Sequence, residues 1–368
     1  MLDFASALYL GMRHANPPLT GWHALTLGRP AALQEPTGAL GTSETLARMQ
    51  GCEQALLMPS TLHLFFDLFD MLSREPVTLL VDSCAYPITR WAMRTARARG
   101  CFVSVFDGRD LASVSVLAAR AVAAGRRNVL VTDGFCCVCG RSPPIRDYAE
   151  LVETFDGLLI IDDTQGIGMV GSRPDATMPY GYGGGGALRW HGASSNRIII
   201  GASLAKAFGA PLAVISGSGP LIHRFREMSA TRVHCSPPSF AAIAAAKAAL
   251  RINEQCGDVL RARLHERVKQ LQDVMTRAGL SCRVAFPFPV QHFSVPAHVD
   301  APDFGRLLRR FGLWAVPTRS KRGISLTFMV SVRHRPCDIE AAGRIVADLL
   351  STNAAFGRRE YRNEQTIV

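Results

Sequence analysis

The stretch Arg197-Ile-Ile-Ile-Gly-Ala-Ser-Leu-Ala-Lys-Ala-Phe-Gly-Ala-Pro211 decides how the rest of the chain is read. Its β-branched run up to Ile200 has the character of a buried strand, and small residues then carry the chain to one lysine, Lys206. An amine set among Gly, Ala, Ser and Leu has few carboxylates near it in sequence and is partly desolvated. Desolvation lowers its pKa and suits it to an imine with an aldehyde cofactor. Alone, such a lysine reads more often as a surface residue of the following helix, so a second stretch has to distinguish the two.

That stretch is Leu158-Leu-Ile-Ile-Asp-Asp-Thr-Gln-Gly-Ile-Gly168, an apolar strand that breaks into acids and then glycines. Open α/β sheets bind ligands at the carboxyl ends of their strands, which brings Asp162 and Asp163 to the same rim as Lys206. Pyridoxal phosphate requires a lysine for its aldehyde and a carboxylate for its ring nitrogen. Here the acid precedes the lysine by 44 residues.

With both stretches in view the chain resembles the α-oxoamine synthases, the pyridoxal-phosphate enzymes that include 8-amino-7-oxononanoate synthase, glycine C-acetyltransferase, 5-aminolevulinate synthase and serine palmitoyltransferase. Their Asp-Glu-Ala-His-Gly-x-Gly motif is similar to Asp162-Asp163-Thr164-Gln165-Gly166-Ile167-Gly168, and their Thr-Leu-Gly-Lys-Ala to Ser203-Leu204-Ala205-Lys206-Ala207. The resemblance implies an α/β fold of fold-type I, aspartate aminotransferase-like, with a mainly parallel seven-stranded sheet in a large domain and a small C-terminal α/β domain. The expected division is an N-terminal arm over 1–41, a large cofactor domain over 42–280 and a small domain over 281–368.

Composition sets wide limits. At 368 residues, 48% hydrophobic and 19% charged, the chain is long and apolar enough for a large core. A net charge of +11 favours anionic partners such as a nucleotide-bearing thioester, an acidic carrier protein or nucleic acid. No zinc-finger spacing or basic helix with interleaved aromatics accompanies that charge, so nucleic-acid binding is not expected. Ten cysteines without a secretory leader point to reduced thiols in the cytoplasm. Cys136-Cys137-Val138-Cys139 lacks a second Cys or His pair at ligand spacing, so no metal is expected. No apolar run of about 20 residues suggests a membrane helix.

Along the chain, Asn-Tyr-Leu-Gly-Leu of the family resembles Leu8-Tyr9-Leu10-Gly11-Met12, with Leu8 in place of the Asn; relatives carry a longer leader helix before it. Residues from Asn16 to Gly41 read as a loop or arm, and a helix is expected from Thr42 to Gln50, capped by Ser or Thr. Ser60, Thr61 and Leu62 match the family turn whose backbone holds the cofactor phosphate, at the start of a helix where free N–H groups favour an anion. Tyr86 falls where the family has a His that stacks on the pyridoxal ring; it supplies a face but not an imidazole's acid–base chemistry near neutral pH. Asp133 takes a Glu position, and Cys137 that of a Ser near the cofactor, read as pocket lining. The segment from Ser172 to Ala193, with Gly183 to Gly186, reads as a surface loop or lid. His234 stands where relatives place a Thr that reaches the cofactor phosphate of the partner subunit. Ser325 stands at the family Arg that grips the substrate carboxylate, with Arg322 and Arg333 close enough in sequence to replace it.

Three readings follow. In the first, implied by the resemblance, the chain is a homodimeric acyltransferase. Lys206 holds the cofactor and moves the α proton of an amino acid, Asp162 holds the ring nitrogen, Gln165 the phenolate, and Ser203 lines the site; an acyl thioester of coenzyme A or acyl carrier protein is condensed with loss of carbon dioxide. The second keeps the cofactor and changes the reaction to that of a decarboxylase, aldolase, lyase or aminotransferase, as the departures at Tyr86, Gln165, His234 and Ser325 allow. The third is a non-enzymatic subunit, against which the retained Lys206 and Asp162 argue.

Overall fold

The computed structural model describes residues 1–12, 25–284, 286–295, 301–320 and 323–364. Two compact units divide the chain, one made of Met1–Gly11 with Val259–Val368 and the other of Met12–Asp258. In chain order the elements are β1 (Leu2–Asp3), α1 (Ala39–Gln50), β2 (Gln54–Met58), α2 (Thr61–Leu72), β3 (Val77–Asp82), α3 (Pro87–Ala98), β4 (Phe102–Phe106), α4 (Leu111–Ala123) and β5 (Arg127–Asp133). Then come α5 (Ile145–Thr154), β6 (Leu158–Asp162), a short α6 (Ala187–Trp190), β7 (Ile198–Ser203), β8 (Ala213–Gly217), α7 (Gly219–Met228), α8 (Ala230–His234) and α9 (Phe240–Arg277). The last third adds β9 (Ser281–Cys282), β10 (Val290–Ser294), α10 (Ala301–Arg310), β11 (Leu313–Trp314), β12 (Val316–Ser320), β13 (Gly323–Met329) and α11 (Pro336–Glu364).

The Met12–Asp258 unit is built on a seven-stranded sheet in the order β2-β8-β7-β6-β5-β3-β4. Every neighbouring pair is parallel except those of β8, which runs antiparallel to β2 and β7. Strands such as Leu158-Leu-Ile-Ile and Ile198-Ile-Ile are apolar at consecutive positions because helices cover both sheet faces. Alternation sorts those side chains: Leu158 and Ile160 pack with α2 and α3 on one face, while Leu159 and Ile161 pack with Tyr148, Val152 and Leu188 on the other. Each Ile or Leu so buried contributes about 1.5–3 kcal/mol relative to exposure. Chain order reverses at β3, which pairs with β4 on one side and β5 on the other, so the loops leaving β3 and β5 open a crevice at their carboxyl ends.

Two expectations are corrected. Helix α1 begins at Ala39 rather than Thr42, with Gly38 at φ 83° as its N-cap and no side-chain cap; Thr42 and Ser43 instead return their hydroxyls to the carbonyls of Gly38 and Leu40. The segment from Ser172 to Ala193 is a surface loop at its tip, where Arg173 to Thr177 are exposed, but its glycine stretch is held against the body instead of hanging free as a lid. Its glycines pack: a Cβ on Gly185 would stand 2.3 Å from the Met49 carbonyl, and Gly183 donates its N–H to Asp258 at 2.9 Å. Gly171 to Tyr182 forms a tight hairpin, Tyr180 is fully buried, and Trp190 donates to the Pro179 carbonyl at 3.3 Å. Gly185 serves close backbone approach, while Gly181, Gly183, Gly184 and Gly186 also supply positive φ. The arm read over 16–41 falls partly outside the described residues.

The second unit carries a four-stranded antiparallel sheet, β12-β13-β10-β9, and β1 pairs in parallel with β11. Phe293, Leu326 and Phe328 are buried in it. Strand β12 pairs with β13, setting Val316 against Thr327. Among the described residues no helix is long and apolar enough to cross a membrane.

Candidate active site

At the carboxyl ends of β3, β5, β6 and β7 lies a cavity of about 620 Å³ in the Met12–Asp258 unit. Thr61, Tyr86, Cys137, Asp162, Gln165, Ser203 and Lys206 line it. The two stretches that dominate the sequence reading therefore meet in one pocket. Asp133, Thr164 and Arg90 also line it, and sequence reasoning gave them no role. Arg90 had a signal available, since it lies on the first turn of the helix that follows the β3 loop.

Asp162 ends β6 on the face of Leu158 and Ile160, and that alternation turns its carboxylate toward α3. Its Oδ2 accepts from the Thr89 hydroxyl at 3.1 Å, and its Oδ1 accepts from the Thr164 N–H at 3.1 Å. Desolvation still raises its pKa, against the hydrogen bonds from Thr164, the charge of Lys206 and the bond from Thr89. Desolvation lowers the pKa of Lys206, opposed by the charges of Cys137, Asp162 and Asp133. Its Nζ stands 5.6 Å from the centroid of the Tyr86 ring, which is half exposed at the mouth. Asp133 accepts the Tyr86 backbone N–H at 3.0 Å; burial, with the charge of Asp162, pushes it up to about 8. Burial likewise pushes the Cys137 thiol up to about 12, which suits lining rather than nucleophilic attack. Thr164 ties the two motifs together, its hydroxyl accepting the Ser203 N–H at 3.0 Å.

Ser60 caps α2, accepting from the His63 N–H at 3.4 Å and sharing a 2.8 Å hydrogen bond with His63 Nδ1. Thr61 begins the helix at the cavity wall, while Leu62 is 47% exposed and outside the lining. His234 lies exposed at the end of α8 and does not line this cavity. Ser325 and Arg333 belong to the other compact unit: Ser325 is buried in β13 opposite Ser294 and Thr318, and Arg333 Nε donates to the Gly11 carbonyl at 2.8 Å. Arg322 lies outside the described residues.

This sheet, with an acid and a lysine delivered from adjacent strand ends, is the fold of fold-type I pyridoxal-phosphate enzymes. An 8-amino-7-oxononanoate synthase from Francisella tularensis superposes with a TM-score of 0.70 at 14% identity, covering 96% of this chain and 99% of that one. A serine palmitoyltransferase from Sphingomonas wittichii superposes at 0.77 and 16% identity, covering 93% and 86%. Residues 53–321 match the aminotransferase class I and II family, and the chain belongs to that family. Within it the chain is similar to the α-oxoamine synthases. It is 31% identical over 255 residues to the 8-amino-7-oxononanoate synthase of Dechloromonas aromatica (strain RCB), an alignment covering 67% of this chain but only 62% of that relative. A putative 8-amino-7-oxononanoate synthase of Thermosynechococcus vestitus is 26% identical over 369 residues, covering 95% and 88%.

Proposed function

We propose that the chain is a pyridoxal-phosphate-dependent acyltransferase that condenses an amino acid with an acyl thioester, with loss of carbon dioxide. The observation that carries this reading is the convergence of Lys206 and Asp162 on one cavity, where burial holds the lysine below its usual pKa. The donor set fits the cofactor: Asp162 is a buried carboxylate held by Thr89 and Thr164 on the wall of the cavity, and a helix N-terminus opens on the same cavity at Thr61. In this reading Asp162 holds the ring nitrogen, Tyr86 covers one ring face, Gln165 bonds the phenolate, and Ser203 and Cys137 line the walls. The start of α2 at Ser60, Thr61 and Leu62 takes the phosphate. When bound, the cofactor supplies an aldehyde for the amine and a ring that withdraws electrons from the α carbon.

With the cofactor bound, Lys206 would hold its aldehyde and, when an amino acid frees the amine, would accept the α proton at Nζ. Its depressed pKa keeps a larger neutral fraction than an exposed lysine would have. Tyr86 and Gln165 stand where the family has imidazoles, and we assign the α-proton transfer to Lys206. Arg90, at the cavity wall, is the guanidinium we assign to the substrate carboxylate or acyl-donor phosphate. Arg322 and Arg333 remain alternative anchors in place of Ser325. His234, exposed on its own protomer, is assigned to the phosphate site of the partner in a homodimer. The basic surface suits coenzyme A or an acidic carrier protein.

The test loads purified protein with pyridoxal phosphate, reduces it with borohydride and maps the labelled peptide. Label on Lys206, followed by carbon dioxide release and free thiol only when amino acid and acyl thioester are both present, is the expected result. Carbon dioxide or a keto acid formed without thioester consumption would assign another reaction to the same site.

A further inference from the structure

The loops leaving β3 and β5 bring three cysteines together beside the cavity. Cys84 follows β3, and Cys136 and Cys139 follow β5. One sulfur of each lies within 4.8 Å of the other two, and Cys84 Sγ stands 2.8 Å from Cys139 Sγ. The Cys136-Cys137-Val138-Cys139-Gly140 segment is a closed turn. Gly140 adopts φ 68° and donates its N–H to the Cys136 carbonyl at 2.8 Å, while the Cys139 N–H points at Cys136 Sγ at 3.2 Å. A backbone N–H aimed at sulfur stabilises negative charge there, which a thiolate carries and a thiol does not. Cys136 also bridges to Arg141, and the Arg141 side chain hydrogen-bonds Cys139, placing a cation at the edge of the group.

We propose that Cys84, Cys136 and Cys139 form a three-thiolate site for a thiophilic divalent cation, zinc above all, with its fourth position open toward the cavity. The pairing of a Cys-x-x-Cys turn with one distant cysteine is why spacing alone does not reveal it: the third ligand lies 52 residues upstream of Cys136 and arrives through the β3–β5 pairing. A disulfide joins two sulfurs and leaves the third without a function, whereas one ion engages all three. Sulfurs bound at about 2.3 Å around a tetrahedral ion stand about 3.8 Å apart, so Cys84 and Cys139 separate by roughly 1 Å on binding, within the reach of two surface loops. Binding replaces three S–H bonds by three metal–sulfur bonds and releases the three protons to solvent. Cys84 and Cys136 both line the cavity, which puts the open position on its wall. Three protein ligands with a free fourth position are the arrangement of zinc sites that exchange a ligand rather than of closed structural ones. The site would also fasten the loop carrying Tyr86 to the loop that follows Asp133.

Metal analysis of the full chain, purified under reducing conditions from zinc-supplemented medium, tests this independently of the cofactor reading. Expected are about one zinc per chain after exhaustive dialysis, and after exchange into cobalt a thiolate-to-cobalt charge-transfer absorption. Cys84→Ser and Cys139→Ser should each lower retention at least about tenfold, with the exposed Cys256→Ser as control. Wild-type cobalt spectra stand even where a variant folds poorly. Three thiols that react freely with a thiol reagent in zinc-treated protein, or a Cys84–Cys139 disulfide in place of metal, would overturn the proposal.

Discussion

Asp162 and Asp163 are neighbours at the end of one strand, both buried, both with carboxyl pKa values raised chiefly by desolvation, and they do opposite things. Asp162 faces α3 and the lysine cavity. Asp163 turns to the other side, where its Oδ2 accepts the Ala187 N–H at 3.0 Å and three glycines close around it. A Cβ added at Gly134, Gly166 or Gly186 would come within 2.2, 2.0 or 1.9 Å of an Asp163 oxygen. Its Oδ1 is buried without a hydrogen-bond partner among the described residues, and its carboxyl is pushed up to about 8. A perturbed carboxyl therefore does not mark a reacting group by itself. What lies opposite it does: a cavity with an amine for one acid, a backbone cage for the other.

The contrast breaks first at its functional side. Lys206→Ala should abolish borohydride-trapped cofactor and cut acyl transfer ~10³-fold or more. Residual label on another lysine would remove the centre of the reading. Asp162→Asn should weaken retention of pyridoxal phosphate and lower turnover by about 10²-fold, while the melting temperature without cofactor changes little or rises, since a buried carboxyl is removed. The structural side responds to Gly186→Ala. At φ 90° and against Asp163, a methyl group there should cost about 2–4 kcal/mol in thermal or urea unfolding, with no selective loss of cofactor binding in what remains folded.

A pH series sharpens the pair further. The folded pKa of Asp163 lies above its unfolded value near 3.8, so the folded state binds the extra proton between about pH 4 and pH 8. Its stabilising contribution is complete below pH 4 and is lost as pH rises through about 8. Unfolding free energy should fall across that window by up to about 1.4 kcal/mol per pH unit from this group, and Asp163→Asn should flatten the slope. An unchanged slope would return Asp163 to the ordinary carboxylate range. The smallest effect is expected at the mouth, where Tyr86→Phe keeps the ring face and should alter turnover less than about threefold, against a larger loss in Tyr86→Ala.

Much of this is legible in the sequence alone. Consecutive apolar residues in Leu158–Ile161 and Ile198–Ile200 announce strands covered on both faces, and acids or small residues at their ends announce a ligand rim. The glycines misled for a physical reason: Gly183 to Gly186 look mobile in a string, yet Gly185 and Gly186 are packed so closely against Met49 and Asp163 that a Cβ would not fit. Arg90 and Thr89 stayed silent because a helix surface pattern does not say which residue looks into a cavity.

Local chemistry along the chain was enough to name the strands, the lysine and the acid, because hydrophobic alternation and motif order are properties of neighbours in sequence. Only tertiary structure decided that Asp163 is shut in a backbone cage while Asp162 shares a cavity with Lys206, and that Cys84 joins Cys136 and Cys139. Both depend on strand pairing: alternation across β6 sends adjacent carboxylates to opposite faces, and the β3–β5 pairing closes a 52-residue separation that no spacing rule spans.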